Sequence, residues 1–440
     1  MQSKPNQQLG LPLEIEGELF PTKNGTGTSA ENAKVMERVV ERENLLRALK
    51  QVRRNGGSAG IDKMTVEELT PYLKEHWPTI RAALIEGTYR PQPVRRHEIP
   101  KPNGGVRKLG IPTVLDRFIQ QAVLQVLQEE WDATFSEHSY GFRPKRKAHQ
   151  AIKAAQQYLE EGRTWVVDID LEKFFDRVNH DKLMSEVVKR VGDRRVTGLI
   201  RAYLEAGVLE DGALHETVEG TPQGGPLSPL LANLILDELD RELEKRGHRF
   251  ARYADDCNIY VRSQRAGDRV MAGITQWLKR KLKLQVNEAK SAVGRPWERK
   301  FLGFSFTRKR RRQVSREAQE RFKERIRELT NRHRGCSMER IAEETGRYMR
   351  GWKAYFGYAE AKSTLFALET WVRRRLRCYQ WVAWGPRRYR ELRKRGVSRD
   401  LAWNTRKSAH GPWRLSMSPA LGIALPNRYY TDLGIPSLSK

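Results

Sequence analysis

Residues 249–261 contain two short β-prone runs that meet at a pair of adjacent aspartates, Asp255 and Asp256. Strand-forming residues on both sides of a short polar break predict a β-hairpin with two carboxylates at its tip. Aspartate is also frequent in ordinary turns, where its side chain bonds the local backbone. Carboxylates held at a rigid turn can instead bind the paired divalent metals that phosphoryl-transfer enzymes use. This second interpretation requires a third carboxylate from elsewhere in the chain.

The best source of that third carboxylate is the segment 164–171, Thr-Trp-Val-Val-Asp-Ile-Asp-Leu. Successive side chains of a strand point to opposite faces, so Asp168 and Asp170 lie on the same side. Trp165, Val167 and the following apolar residues lie on the other side, which favours a half-buried strand. The sequence therefore predicts acidic groups on the open face of one strand as well as on a separate hairpin.

The charge balance indicates a polyanionic partner. The chain of 440 residues has a formal net charge of +28, which is far too basic for an ordinary metabolic enzyme and typical of nucleic-acid-binding proteins. Basic residues occur along the whole chain, as expected for a long groove rather than a single basic tail. The length allows two or three domains.

Cysteine usage and hydropathy argue against several other classes. Cys257, Cys336 and Cys378 are widely separated, so neither a disulfide framework nor a zinc site of paired cysteines is predicted. No apolar run approaches the roughly 20 residues that cross a bilayer, and the N-terminus lacks a signal-peptide core. We therefore expect a soluble, unsecreted protein of a reducing compartment that has no membrane partner.

A series of sequence blocks from about residue 95 to residue 306 resembles, in order, the reverse transcriptases encoded within group II introns. The blocks that carry the resemblance include Tyr-Ala-Asp-Asp at 253–256 and Gly-Thr-Pro-Gln-Gly-Gly-Pro-Leu-Ser-Pro at 220–229. The resemblance implies an α+β right-hand polymerase, with fingers and palm, an α-helical thumb and a small basic C-terminal domain. It implies synthesis of DNA from dNTPs on an RNA template and a DNA primer, with two Mg²⁺ ions.

The resemblance also assigns catalytic roles. The family's catalytic, metal-binding carboxylates correspond to Asp170, Asp255 and Asp256. In the family, an aromatic residue five places after the first of these excludes a ribose 2′-hydroxyl. Counting from Asp170 gives Phe175, whereas counting from Asp168 gives Lys173, so Asp170 is the better ligand and Asp168 a supporting or structural acid.

Other positions are assigned to nucleotide and nucleic-acid binding. The segment 99–112 reads as a hairpin around Asn-Gly-Gly with cations on both arms, which the family uses to hold the triphosphate. Family residues that contact the incoming nucleotide correspond to Lys101, Arg107, Phe175, Gln223 and Pro226. Lys290 either steadies a phosphate or is an ordinary surface lysine. Tyr140 and Phe142 are expected to pack in the core.

Composition and resemblance together predict four regions. Residues 1–31 are rich in Pro, Gly and polar residues and are expected to form a flexible extension. Fingers and palm are predicted for 32–306, the thumb or maturase domain for 307–384, and a basic DNA-binding domain for 385–440. Helices are predicted over 32–55, 65–73, 116–131, 317–329, 338–347 and 365–382, and a loop over 404–407.

The thumb and the C-terminal region hold further candidate contacts to nucleic acid. Phosphate contacts are predicted for four arginines whose helix carries its apolar stripe on another face, Arg373, Arg374, Arg375 and Arg377. The run 308–312 either contacts nucleic acid or is a solvated loop. Four tryptophans either stack on bases or are buried, namely Trp381, Trp384, Trp403 and Trp413.

The implied function is a protein that binds intron RNA, assists its splicing and copies it into DNA at a DNA target. The chain is most similar to the compact class C forms, since the paired cysteines of an appended endonuclease are absent. Two alternatives stay open: the same polymerase recruited to phage defence or DNA repair, and a maturase acting chiefly as a splicing cofactor. The sequence makes no prediction of oligomeric state.

Overall fold

The structure, a computed structural model, describes residues 34–100, 104–210, 213–215, 219–221 and 224–439, apart from the side chain of Leu214. The predicted flexible extension 1–31, Lys101 and Gln223 lie outside these residues. The described chain divides into two compact units, the first made of the residues up to Ala151 with Val167–Val293, the second of Ile152–Val166 with the residues from Gly294 on. The four-region division stays a prediction.

The helices and strands alternate in an order typical of an α+β protein. The helices are α1 Val35–Val39, α2 Arg42–Asn55, α3 Leu69–Glu86, α4 Val114–Trp131, α5 Ala148–Glu160, α6 Phe174–Arg177, α7 His180–Arg190, α8 Arg194–Glu205, α9 Ser228–Lys245, α10 Gln264–Trp277, α11 Arg316–Leu329, α12 Met338–Phe356, α13 Lys362–Ala383, α14 Arg388–Lys394, α15 Arg399–Lys407, α16 Pro412–Leu415, α17 Pro419–Ala424 and α18 Asn427–Asp432. The strands are β1 Val94–Pro100, β2 Val106–Ile111, β3 Trp165–Ile169, β4 Val208–Glu210, β5 Ala213–His215, β6 Arg249–Tyr253, β7 Asp256–Val261, β8 Ala292–Gly294, β9 Phe304–Phe306 and β10 Arg312–Val314.

Many helices begin where a short polar side chain binds an otherwise unpaired backbone N–H, which is the usual role of an N-cap. These N-caps are Thr113, Asn179, Asp193, Ser263, Ser315, Ser337 and Ser418. The helices predicted over 116–131, 317–329 and 365–382 are confirmed to within three residues at each end. The one predicted over 338–347 extends to Phe356.

The prediction of one helix over 32–55 is wrong, because the chain breaks between α1 and α2. Glu41 is extended, and the side chain of Asn44 donates to the carbonyl oxygens of Val39 (2.9 Å) and Ala122 (3.0 Å). The buried amide of Asn44 stabilises this break, since it supplies the carbonyl of Val39 with a donor that the interrupted helix does not provide.

The predicted bounds of the next helix and the predicted loop at 404–407 are also wrong. The backbone N–H of Thr65 donates to Glu68 Oε2 (2.7 Å), which stabilises a turn, and α3 begins only at Leu69. The helix then continues because Trp77 and Leu84 extend its buried face. Residues 404–407 belong to α15, whose buried Ala402 and Thr405 make that helix amphipathic.

Two four-stranded sheets shape the first unit. One has the order β2-β1-β4-β5, in which β1 pairs antiparallel with β2 and parallel with β4. The other has the order β6-β7-β3-β8, so the predicted carboxylate strand β3 lies between the hairpin strand β7 and the late strand β8. Val166, Val167 and Ile169 of β3 are buried, whereas Trp165 and Asp168 are half-buried.

The second unit contains the hairpin β9–β10 and the helices that follow it. Four aromatic side chains in successive contact form part of its core. The distance between ring centroids is 4.6 Å for Phe322 and Trp352, 4.6 Å for Trp352 and Phe356, and 5.3 Å for Phe356 and Phe304. No helix within the described residues is long and apolar enough to span a bilayer.

Candidate active site

The hairpin that was predicted from residues 249–261 is confirmed, and its tip is tight. Tyr253 pairs with Asp256, so Ala254 and Asp255 form a two-residue loop between β6 and β7. Ala254 has a φ of +57°, a backbone conformation that is uncommon for residues other than glycine. Asp255 is half-buried and Asp256 is exposed. Contacts other than the strand pairing therefore help to hold the loop in this conformation.

The strongest of these contacts come from Arg252, which is fully buried, as is its ion-pair partner Asp240. The guanidinium donates to both carboxylate oxygens of Asp240, at 2.7 and 2.6 Å. It also donates to Asn233 Oδ1 (3.0 Å), to Ser139 Oγ (2.8 Å) and to the carbonyl of Ala254 (2.9 Å). These five hydrogen bonds use every N–H of the guanidinium, and one of them fixes the hairpin tip.

The segment 138–141 lies directly against the same tip. The backbone of Arg252 donates to the carbonyl of His138 and accepts from the N–H of Tyr140, both at 2.9 Å. A Cβ at Gly141 would lie 2.2 Å from the amide nitrogen of Ala254. Asn233 donates to the carbonyl of Gly141 (2.8 Å). A glycine is therefore required where this segment supports the hairpin.

Helix α9 presents a buried polar stripe to this region, which sequence reasoning missed. Asn233, Asp237 and Asp240 are each at most 3% exposed. Their spacing of four and three residues places them on one face. Asp237 accepts from the N–H of Ser136 (3.1 Å) and from Arg190 (3.0 Å). The signal was present in the sequence: polar residues at helical spacing within an apolar helix indicate a buried polar network.

The predicted metal ligand Asp170 is held through its backbone. Its N–H donates to Ser291 Oγ (2.9 Å), and its carbonyl accepts from the N–H of Asn287 (2.8 Å). Its carboxylate lies 3.6 Å from Nζ of Lys290. Lys290, for which a phosphate contact and an ordinary surface position were both open, thus provides a positive charge beside Asp170. The role of Ser291 was not predicted.

The pKa of Asp255 depends on the charges of other predicted site residues. Burial raises the pKa of Asp255 above its ordinary value, and the neighbouring charge of Asp170 raises it further. Arg107, exposed on β2, and the buried Arg252 oppose this shift of the Asp255 pKa. The charges of Asp170 and Arg107 therefore both act on the carboxyl group of Asp255.

Asp168 and Phe175 lie on either side of Asp170 in the sequence. Asp168 is half-buried, and it helps to raise the pKa of the Cys257 thiol, although burial of that thiol is the larger cause. Phe175 is half-buried, whereas its neighbour Phe174 is only 2% exposed and packs edge-on against it at 5.2 Å. Of these two phenylalanines, Phe175 therefore has the more accessible ring.

The block that begins at Gly220 packs against other predicted site segments. The N–H of Thr221 donates to the carbonyl of Phe175 (2.6 Å). Gly224 has a φ of +140°, and a Cβ there would lie 2.5 Å from the carbonyl oxygen of Gly110 on β2. Pro226, half-buried, follows directly. The block thus joins the backbone at Phe175 to the arm that carries Arg107.

A divalent cation fits this region by charge and donor type. Carboxylate oxygens are the ligands that Mg²⁺ prefers, and the repulsion between Asp170 and Asp255 that raises the pKa of Asp255 would be relieved by a bound cation. Within the described ranges, no three carboxylate, imidazole or thiol side chains are grouped closely enough to enclose a metal ion. The charge and donor type of Asp170 and Asp255 therefore fit a divalent metal.

The predicted phosphate contacts of α13 all have partners within the second unit. Arg373 pairs with Glu369, Arg374 donates to Trp413 O, Arg375 donates to Thr330 Oγ1, and Arg377 donates to Leu425 O. Their role in binding phosphates stays a prediction. Of the four tryptophans, Trp381 and Trp384 are buried, and Trp403 and Trp413 are exposed.

Of the two aromatic residues expected in the core, one is buried and one is not. Tyr140 is 8% exposed, in agreement with core packing, whereas Phe142 is 45% exposed. The prediction for Phe142 is wrong because its backbone, at a φ of +57°, turns away from the core immediately after the close contact at Gly141.

Comparison with known proteins agrees with this arrangement. Residues 99–306 match the family described as reverse transcriptase (RNA-dependent DNA polymerase), and residues 319–396 match the group II intron, maturase-specific domain. Protein YkfC of Escherichia coli K12 is 40% identical over 42% of this chain and 50% of its own length. The group II intron-encoded protein LtrA of Lactococcus lactis subsp. cremoris is 42% identical over 39% of this chain and 28% of its own.

Among solved structures, a telomerase from Candida albicans is 12% identical, with a TM-score of 0.42 over 66% of this chain and 59% of its own. The matched part of this chain spans half the length of YkfC and less than a third of LtrA.

The carboxylate hairpin and strand in one sheet, within the matched residues 99–306, define the α+β fold of a reverse transcriptase. Because a maturase-specific domain follows it, the chain belongs to the reverse transcriptase/maturase family encoded by group II introns.

The contact at Gly141 predicts that Gly141→Ala will reduce primer extension on an RNA template by about 10²-fold, since even small displacements of catalytic groups have effects of that size. The matched control is Gly198→Ala, in helix α8, where an added Cβ meets nothing within 4 Å. That control should keep full activity and gain about 0.5–1 kcal/mol of stability. Equal rates for the two variants would contradict the support of the tip by residue 141.

The buried ion pair predicts a large loss of stability when only one partner is removed. Arg252→Met leaves Asp240 buried without a counter-charge and should lower the free energy of unfolding by about 3–5 kcal/mol. Combining Arg252→Met with Asp240→Leu removes both charges and should recover most of that loss. Urea unfolding of the three proteins measures this, and a double variant as unstable as the single one would show that the charge is not the cause.

Proposed function

We propose that the chain is an RNA-directed DNA polymerase that binds intron RNA, assists its splicing and copies it into DNA. The observation that carries the proposal is that the hairpin with Asp255 and Asp256 at its tip and strand β3, which Asp170 directly follows, are neighbours in one sheet. The family matches support the same activity and add the maturase role. The proposed partners are an RNA template, a DNA primer or target, and dNTPs, in the bacterial cytoplasm with the nucleoid.

The proposed reaction is nucleotidyl transfer. The 3′-oxygen of the primer attacks the α-phosphorus of a dNTP, a new phosphodiester bond forms, and the bond to the leaving pyrophosphate breaks. Asp170, Asp255 and Asp256 would hold two Mg²⁺ ions; when bound, such ions would supply a lowered pKa at the attacking hydroxyl and charge neutralisation at the pyrophosphate. The buried network around Arg252 holds the hairpin in place during this step, which keeps the reacting groups aligned.

The remaining assignments concern the nucleotide. Arg107, exposed on β2, would bind the triphosphate together with Lys101. Gln223 and Pro226 would lie beside the incoming nucleotide and the template. The half-buried ring of Phe175 would lie under the sugar and exclude a 2′-hydroxyl.

Neutralising either aspartate at the hairpin tip should abolish DNA synthesis. We expect Asp255→Asn and Asp256→Asn each to lower primer extension on an RNA template by at least about 10³-fold, because each removes negative charge that the metals require. RNA binding should change little. Asp268→Asn, on the exposed side of α10, is the matched control. DNA synthesis that persists in both tip variants would refute the assignment of Asp255 and Asp256 as metal ligands. Loss of RNA binding together with synthesis would indicate misfolding.

Phe175→Ala should admit ribonucleotides. If the Phe175 ring raises the transition-state free energy for an rNTP by about 2–3 kcal/mol relative to a dNTP, it discriminates roughly 30- to 150-fold. In Phe175→Ala, the ratio of kcat/KM for dNTP to kcat/KM for rNTP should fall by that factor. Phe174→Leu keeps a buried apolar side chain and should leave the ratio unchanged. If Phe175→Ala folds and copies RNA with the wild-type ratio, Phe175 is not the sugar-discriminating residue, and Asp168 must be reconsidered as the metal ligand.

A further inference from the structure

The turn that joins β9 to β10 is ordered by its own hydrogen bonds. The N–H of Thr307 donates to the carbonyl of Arg311 (2.9 Å), and the N–H of Arg310 donates to the carbonyl of Thr307 (2.8 Å). The N–H of Arg311 also donates to Thr307 Oγ1 (3.1 Å). We refer to residues 307–311 as the basic turn. Its backbone is preorganised, so binding through it would cost little conformational entropy.

Two arginines attach the basic turn to the rest of the second unit. Arg312 pairs with Glu360 (3.2 Å), donates to the carbonyl of Tyr358 (3.2 Å) and lies with its guanidinium 4.1 Å from the Tyr358 ring centre. Arg310 donates to the carbonyl of Glu160 (3.2 Å) and accepts through its own carbonyl from Gln156 (3.1 Å). The C-terminal end of the turn is therefore fixed, although Arg310 remains exposed.

The other cations of the turn face solvent. Arg308, Lys309 and Arg311 are exposed, and no ion pair among the described residues includes any of them, in contrast to Arg312. Three uncompensated positive charges within four residues repel one another. Such an arrangement is unfavourable in isolation and is relieved by a polyanion.

An aromatic platform supports the first of these cations. The guanidinium of Arg308 lies 5.6 Å from the centre of the Trp297 ring, and Arg295 lies 5.6 Å from the same ring and 4.1 Å from that of Trp165. Trp165, which the strand pattern placed on the core face, is in fact half-buried beneath Arg295. A guanidinium that packs by its face keeps its N–H edges available for bidentate contact with phosphate.

We propose that the basic turn is a docking surface for the phosphate backbone of an RNA strand, with Arg308, Lys309 and Arg311 as the contacts and Trp297 as the platform that orients Arg308. The turn lies between the two regions that match known families, 99–306 and 319–396. The proposal rests on the proposed function, which supplies RNA as the polyanion. It resolves the alternatives that the sequence left open for the run 308–312: Arg312 is an internal anchor, and the exposed cations before it bind RNA.

The test uses the full chain and a mixed-sequence, single-stranded RNA oligonucleotide. Arg308→Ala, Lys309→Ala and Arg311→Ala are combined in one variant, and affinity is measured across a salt series. Each lost contact to a single strand removes about 0.7 from the slope of log K against log salt, so the slope should decrease by about 2. The matched control removes an equal charge from the exposed residues Lys279, Arg280 and Lys281 by alanine substitution. An unchanged slope in the turn variant, or an equal decrease in the control, overturns the proposal.

A second variant keeps the charge and removes the platform. Trp297→Leu should weaken RNA binding while the salt slope stays at the wild-type value, because Arg308 loses its orientation but not its charge. Wild-type affinity in this variant would overturn the role of Trp297. The affinity of the turn variant is also measured with a DNA strand of the same sequence. If this variant loses affinity for DNA but not for RNA, the choice of RNA is overturned.

Failure of this proposal and failure of the proposed function are separable. At saturating template, the turn variant should extend a primer at the wild-type kcat, whereas Asp255→Asn should not extend it at all. An active turn variant with unchanged RNA binding would refute only the docking surface. An active Asp255→Asn variant would refute the polymerase site.

Discussion

The buried ion pair between Arg252 and Asp240 is the interaction on which the arrangement of the hairpin tip depends. Removing two charges from water costs several kcal/mol for each ion, and this cost is offset only when geometry and hydrogen bonding are complete. Here they are complete only if β6, α9, the segment 138–141 and the carbonyl of Ala254 are all in place. A partial arrangement leaves a buried charge unsatisfied, so the network favours one position of the tip.

Asp170, which directly follows β3, is also held by groups other than its own carboxylate. Its anchoring bonds to Ser291 and Asn287 involve the backbone of Asp170, which leaves the carboxylate to interact with charges such as Lys290. At both carboxylate positions, rigid support comes from groups other than the carboxylates themselves. This arrangement suits an active site. The reacting carboxylates must be positioned precisely, and they stay available for chemistry when other groups make the structural hydrogen bonds.

The β3 strand and the 249–261 hairpin could be predicted because they depend on local patterns, whereas the polymerase fold was expected from the family resemblance. Alternation in β3 and the two β-prone runs around Asp255 encode the strand and the hairpin, and the helix patterns of the thumb encode α11 and α13. The supporting network could not be assembled in the same way, since Arg252 reads as an ordinary strand residue until Asp240 is known to face it. The exposure of Phe142 could not be predicted either. It follows from the close approach of Gly141 to Ala254, which no sequence periodicity reveals.

The strand order β6-β7-β3-β8 has a consequence for the synthesis of the chain. Strand β3 lies in the middle of its sheet, yet β7 begins about 90 residues after β3 ends and β8 comes later still. At about 5–20 residues per second, the ribosome needs on the order of 5–20 s to supply the first neighbour of β3. Throughout that interval an apolar strand has two unpaired edges, and such edges readily pair with other chains. Until β7 is synthesised, the segment that leads to Asp170 is therefore open to pairing with other chains.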